Sequence, residues 1–226
     1  TPNGILVENF QNLPEKSEEE EEKVYIGAVL RVAPIKDIKT MIHAFSFARE
    51  TEPSLKLWIM GPWDEEQEYA KECFDLVEAE GIPDIEFTGR VDVREYLGKM
   101  DVTILTSISE GQPLTILESF AAHKPVIATD VGNCRGLIMG ESDDLGAAGI
   151  VTHIMNVEEI ARAMVSMARN KEMRLQMGET GYQRVLNKYQ YAFMIDAYRG
   201  IYSDFARNMG LEWEEGVSDG GDRSKT

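Results

Sequence analysis

Residues 24–61 read VYIGAVLRVAPIKDIKTMIHAFSFARETEPSLKLWIMG, two short apolar runs with a stretch of longer period between them. VYIGAVL (24–30) and LKLWIMG (55–61) are apolar nearly throughout instead of alternating, the pattern of strands covered on both faces. Between them, KDIKTMIHAFSFARE (36–50) sets Ile38, Met41, Ile42, Phe45 and Ala48 three and four apart, which gives a helix one apolar stripe. Helices that alternate with such strands supply the cover.

The alternation continues. A helix is expected over 64–80, a strand at IEFTG (85–89), a helix over 92–99, a strand at VTILTS (102–107), a helix over 113–123 and a strand at PVIATD (125–130). A short helix around 135–139 and a strand at GIVTH (149–153) close the series, and from Asn156 only helices are expected, over 156–170, 171–188 and 190–208. The expected fold is α/β, a doubly wound parallel sheet of Rossmann-like kind with C-terminal helices.

Composition narrows the function. A chain of 226 residues, 43% hydrophobic, buries a proper core. No run of about eighteen apolar residues and no basic-then-apolar leader is present, so a cytoplasmic protein without direct membrane insertion is expected. Forty acids against twenty-three bases, net −17, argue against nucleic acid or anionic lipid as a partner. An anionic ligand therefore needs a local basic pocket. Cys73 and Cys134 lack metal or redox spacing and read as ordinary thiols. His43, His123 and His153 read as structural, and Met164, Met167, Met173 and Met177 as helix packing. Glu18 to Glu22 read as a solvated loop, and residues 211–226, polar and glycine-rich, as a frayed end.

Ligands of open parallel sheets sit beyond the carboxyl ends of the strands, so the loops there carry the information. After the first strand come Arg31 and Lys36, two cations at a strand exit and a helix start. Helix starts favour acids; exposed helix N–H groups with a guanidinium and an ammonium suit a diphosphate. Pairing of Arg31 and Lys36 with acids such as Asp37 fits this stretch equally well. After the third strand stand Gly89, Arg90 and Val91.

Residues 109–119, SEGQPLTILES, carry the second site. Gly111 permits unusual backbone geometry, Pro113 suits the first helical position, and free N–H groups near Gln112 to Thr115 form a cradle for an anion or hydroxyl. Ile116, Leu117, Phe120 and Ala121 make the buried stripe, and Glu118 leans back toward the helix start. Glu110 and Glu118 thus flank a donor-rich loop, and carboxylates accept from sugar hydroxyls. For an arbitrary helix, an electrostatic Glu110 and a solvated Glu118 are the simpler account; Arg31 and Lys36 tip the balance toward a ligand.

With its E-x7-E pair, Glu110 and Glu118, the chain resembles the carboxyl-terminal, nucleotide-sugar-binding half of retaining glycosyltransferases of the GT-B fold, fourth sequence family. The resemblance runs through PNGI (2–5), GAVLRVAPIKD (27–37), IMGP (59–62), FTGRV (87–91), SEGQPLTILESFAAHKPVIATDVGN (109–133) and AAGIV (147–151). The wording of GAVLRVAPIKDIKTMIHAF and ATDVGNCRGLI is similar to the bacterial enzymes of Pel-type exopolysaccharide. It implies Arg31 and Lys36 on the diphosphate, where they offset leaving-group charge in place of a metal ion, and Glu110 near the donor sugar. It further implies Glu118 on the ribose, Arg90 and Val91 beside the base, and backbone groups of Gly111, Gln112, Pro113, Leu114 and Thr115 near sugar and phosphate. No cofactor is implied beyond the donor substrate, an NDP-sugar, with UDP-sugar expected. Two departures stand out: Gln112 replaces a common aromatic, and Gly136 a usual glutamate.

The implied organisation is an interdomain junction and acidic loop over 1–23, a nucleotide-sugar-binding domain over 24–209 and a flexible tail over 210–226, with the N-terminal acceptor-binding domain missing. The implied reaction is hexose transfer to a sugar hydroxyl with retention, and the chain alone is expected to be inactive for want of the opposite wall. A sugar-nucleotide epimerase or phosphorylase half and a non-catalytic nucleotide-binding module are the alternatives. A dinucleotide oxidoreductase needs glycines that GAVLRV (27–32) lacks.

Overall fold

The computed structural model describes residues 3–141 and 143–210. Six strands form one sheet: β1 Val24–Val29, β2 Leu55–Met60, β3 Ile85–Gly89, β4 Val102–Leu105, β5 Val126–Thr129 and β6 Gly149–Thr152. Their order is β3-β2-β1-β4-β5-β6 and every pairing is parallel. The chain winds outward from β1 to one edge, then returns to lay β4 on the other side of β1. That reversal opens a crevice at the carboxyl ends of β1 and β4.

The helices are α1 Glu18–Glu21, α2 Ile38–Thr51, α3 Gln67–Glu80, α4 Val93–Leu97, α5 Leu114–Ala121, α6 Cys134–Met139, α7 Val157–Arg169, α8 Lys171–Lys188 and α9 Tyr191–Asn208. One core cluster joins Ile26, Leu57 and Ile59 to Ile38, Met41, Ile42 and Phe45 of α2 and to Ile160, Met164 and Met167 of α7. Another joins Leu105, Val126 and Ala128 to Ile116, Leu117 and Phe120 of α5 and to Leu137 and Ile138 of α6. Each fully buried aliphatic or phenylalanine contributes roughly 1.5–3 kcal/mol, so these clusters fix where the strand ends lie. Met173 and Met177 pack at the margin of the first cluster, as the helical spacing requires.

The α/β, doubly wound parallel sheet with C-terminal helices agrees with the sequence reading; differences lie at element ends. The ladder of β4 stops at Leu105, and Thr106 and Ser107, though buried, turn their hydroxyls to neighbouring loops. Glu18–Glu21 is no loop but a helical turn: Ser17 Oγ accepts from the Glu20 N–H while Glu20 Oε2 accepts from the Ser17 N–H at 2.8 Å. This reciprocal cap, with Lys99 3.0 Å from Glu20, offsets the mutual repulsion and brings the Glu20 carboxyl down to about 2.

The segment before β1 is fastened to the far end of the domain: the Ile5 N–H donates to Tyr189 O at 2.8 Å, and the Tyr191 N–H to Ile5 O at 2.9 Å. The expected tail lies, from residue 211, outside the described residues. Among the described residues, no helix is long and apolar enough to cross a membrane. Both cysteines are buried and free, and burial pushes each thiol up to about 11. The histidines face carboxylates: His43 Nδ1 lies 3.5 Å from Glu80, His123 Nδ1 3.1 Å from Glu179 and His153 Nδ1 2.9 Å from Glu159.

Candidate functional site

The loops after β1 and β4 meet in the crevice. After β1 the chain makes a short 3-10 turn, Pro34–Lys36, and Asp37 takes a left-handed conformation before α2. The Ile108 N–H donates to Ile35 O at 3.0 Å, and Thr106 Oγ donates to the carbonyls of Lys36 at 2.9 Å and Asp37 at 3.1 Å. The backbone of the Lys36 turn is thus tied to the exit of β4.

Side chains close the same gap. Lys36 Nζ lies 2.5 Å from Glu110 Oε1, and Ser107 Oγ donates to the same oxygen at 2.6 Å. Ser107 is held in turn by Thr129 at the end of β5, whose hydroxyl donates to Ser107 O at 2.5 Å. The Lys36 and Glu110 side chains are 22% and 12% exposed, so the pair is largely shielded from water.

The loop between Glu110 and α5 is fixed by its backbone. The Asn133 N–H donates to Gly111 O at 2.8 Å, and Gly132, in the left-handed region at φ 52°, backs against the carbonyls of Glu110 and Gly111, where a Cβ would collide. Asn3 reaches in from the start of the chain: its N–H donates to Gln112 Oε1 at 2.5 Å and its side-chain amide to Gln112 O at 2.8 Å. Pro113 is the N-cap and the helix proper starts at Leu114. Among the described residues the N–H groups of Gln112, Leu114 and Thr115 have no acceptor, which leaves the donor cradle the sequence suggested.

Glu118 lies one turn into α5, half-buried, and burial raises its carboxyl above the usual range. No donor among the described residues reaches it.

Not every expected residue converges. Arg31 forms an ion pair with Glu65 in the loop after β2, and Arg90 lies 3.3 Å from Asp64 of the same loop. Both arginines are exposed at this neighbouring loop, while Val91 packs beside Trp58, Met60 and Leu97. The acids that meet Arg31 and Lys36 are therefore Glu65 and Glu110 rather than Asp37. The start of α2 is also not the open anion site expected: Tyr69 Oη accepts from the Ile38 N–H at 2.9 Å and the Lys39 N–H at 3.4 Å. Thr106, Ser107, Tyr69 and Asn133 escaped the sequence reading, for no local pattern distinguishes them. At Gly136, the side chains of Asn133 and Glu141 fill the space a Cβ would take, so a carboxylate comes from five residues further on. Among the described residues no cluster of His, Cys, Asp or Glu is arranged to hold a metal. An apolar groove of about 750 Å³ between α2 and α7, lined by Phe47, Val157 and Ala161 with Glu158, Arg162 and Arg169 beside them, shares no residue with these loops.

The family model for glycosyl transferases group 1 matches residues 9–184. The chain belongs to this family. Proteins similar to it include the Staphylococcus aureus capsular polysaccharide biosynthesis glycosyltransferase CapM, 24% identical over 211 residues, 91% of this chain and 54% of that protein. The crystal structure of Anabaena HepE in complex with UDP-glucose superposes with a TM-score of 0.75 at 17% identity, over 89% of this chain and 56% of that one. The C-terminal domain of a group 1 glycosyl transferase, LpcC of Francisella tularensis, matches with a TM-score of 0.70 at 21% identity, over 83% of this chain and 99% of that domain. At these identities the superpositions establish the fold alone, that of glycosyltransferases. The group 1 chain described here spans about half the length of the curated relatives it matches, 41%, 42%, 47% and 54% for four of them.

Proposed function

We propose that this group 1 chain is the nucleotide-sugar-binding half of a retaining glycosyltransferase that moves a hexose from an NDP-sugar, UDP-sugar in the first instance, to a sugar hydroxyl in exopolysaccharide synthesis. The observation that carries the reading is the Lys36–Glu110 pair at the reversal of strand order, 2.5 Å apart, beside a helix start with open N–H groups. A cation and an acceptor at one point suit a ligand whose diphosphate and sugar are joined at one oxygen.

In this reading the Lys36 ammonium moves onto the diphosphate and offsets charge that develops on the leaving oxygen. Arg31 exchanges Glu65 for the other phosphate. Glu110, released from Lys36, accepts from hydroxyls of the donor sugar, while Ser107 keeps it oriented. Glu118 accepts from the ribose hydroxyls, and the N–H groups of Gln112, Leu114 and Thr115 meet sugar and phosphate oxygens, Gly111 and Pro113 shaping the loop. Arg90 and Val91 border the base. The bond from the anomeric carbon to the diphosphate breaks as the acceptor oxygen bonds to that carbon on the same face. The acceptor proton leaves with the nucleoside diphosphate. The acceptor itself requires an opposing domain, so the chain by itself binds donor without transfer. HepE was crystallised with UDP-glucose and CapM is named for capsular polysaccharide, and both lend support to donor and pathway class.

Calorimetric titration with UDP, ADP and GDP tests this, beside Arg31→Ala and Glu118→Ala chains confirmed to be folded. UDP binding weakened by both substitutions is expected; a chain that binds none of the three overturns the reading.

A further inference from the structure

We propose that Tyr69, on α3 and outside both site loops, is a positioning residue that holds Lys36 in place by capping the start of α2. This rests on the reading of Lys36 as a diphosphate ligand.

The start of α2 lacks an ordinary cap. Its N-cap residue, Asp37, sits at φ 47° and makes no side-chain cap bond, and one of its carboxylate oxygens is buried without a hydrogen-bond partner. A helix start leaves its first N–H groups unsatisfied unless something accepts from them. Here the acceptor arrives from another element. Tyr69 Oη takes the Ile38 N–H at 2.9 Å and the Lys39 N–H at 3.4 Å, the two residues directly after the Lys36–Asp37 turn. Burial pushes the phenol up to about 12, so it remains a neutral hydroxyl at any working pH and accepts through its lone pairs.

The turn is clamped from two sides. Thr106 donates to the carbonyls of Lys36 and Asp37 from the β4 side, and Tyr69 accepts the next two amides from the α3 side. Lys36 has a long flexible side chain, and its ammonium is useful only where its backbone is fixed. Loss of the phenol oxygen leaves the two amides covered by the remaining ring yet unsatisfied, so the turn loosens without opening a substitute anion site.

The test is a cycle of Tyr69→Phe in the unmodified and Lys36→Ala chains, with UDP affinity measured by calorimetry at low ionic strength and each chain's thermal melting followed separately. If Tyr69 acts through Lys36, Tyr69→Phe weakens UDP roughly three- to tenfold in the unmodified chain, the scale of a lost helix cap. In the Lys36→Ala chain it has no further effect, although melting drops in both. Thr106→Val should show the same pattern from the opposite clamp. Equal weakening in both backgrounds, or none in the unmodified chain, overturns the positioning role while leaving Lys36 as a ligand. Absence of UDP binding to the unmodified chain overturns the diphosphate reading itself, and the role of Tyr69 with it.

Discussion

Lys36 Nζ and Glu110 Oε1 lie 2.5 Å apart across the gap between the β1 and β4 exits, so opposite charges bridge the two loops. The two groups should respond to ligand in opposite ways. Lys36→Ala removes the cation and is expected to weaken UDP by about 1.5–3 kcal/mol, the scale of a hydrogen bond to a charged group. Glu110→Gln removes the competitor for Lys36, so UDP should bind as well as before or better. The same variant should lose the added affinity of UDP-glucose over UDP. Calorimetry with both ligands separates these outcomes; equal loss of both ligands in Glu110→Gln would exclude a sugar-facing Glu110.

Glu118 is held half-buried without a donor, and burial raises its pKa from the ordinary value of 4.5. A raised carboxyl favours the protonated folded state. Its contribution to stability is present below pH 4.5 and is lost as pH rises through the folded pKa. At pH 7 the buried carboxylate therefore costs stability. Glu118→Gln should raise the melting temperature at pH 7 by about 2–4 °C or less, equivalent to about 1 kcal/mol at most, with the gain vanishing toward pH 4. The same substitution should weaken UDP. A carboxylate that costs stability yet improves binding is the signature of a site residue.

Asp37 combines a left-handed backbone, φ 47° and ψ 51°, with a buried carboxylate oxygen that has no partner. Glycine takes that conformation without steric cost and removes the orphan oxygen, against a larger entropy loss on folding. Asp37→Gly is expected to stabilise the chain by about 1 kcal/mol in denaturant unfolding, relief of the orphan oxygen exceeding the roughly 0.5–1 kcal/mol that glycine costs. Destabilisation would mean that the Asp37 side chain has a partner in solution.

Much of this was legible because burial writes itself into composition. β1, β2, β4 and β5 are covered on both faces, so their apolar runs admit one architecture, and Glu110 and Glu118 lie eight residues apart around a helix start. What stayed hidden depends on pairs distant in sequence. Arg31 finds Glu65 only because the loop after β2 runs beside the exit of β1, and Tyr69 finds the start of α2 only because α3 packs against α2. The cap at Ser17 was readable in principle, since Ser17 and Glu20 have capping-box spacing. Repulsion within Glu18 to Glu22 obscured it.

Arg184 shows the same limit most sharply, for nothing in the α8 sequence marks it as the most buried charge in the described residues. Its side chain is 0% exposed. It donates to both Asp143 oxygens at 3.0 Å and to the carbonyls of Leu137 at 3.1 Å, Ile138 at 2.9 Å and Gly146 at 2.5 Å. It thereby joins α8 to the end of α6 and the approach to β6, behind the loop that carries Asn133. Arg184→Met roughly preserves volume but takes a donor from the Leu137 and Gly146 carbonyls; Asp143 keeps Lys188 and the Leu145 N–H, each at 3.2 Å, and Ile138 O keeps the Ala148 N–H at 2.8 Å, so the cost should be about 1–3 kcal/mol. The Arg184 guanidinium also holds the Asp143 carboxyl well below its usual 3.8. A depressed carboxyl contributes stability above its unfolded pKa and loses it as pH falls toward the folded one. Unfolding measured from pH 7 down to pH 2 should therefore show the gap between the two chains narrowing from about pH 4 downward, as Asp143 takes up its proton first in the unfolded chain. A gap that stays constant over that range would place the cost in the lost carbonyl bonds rather than in Asp143.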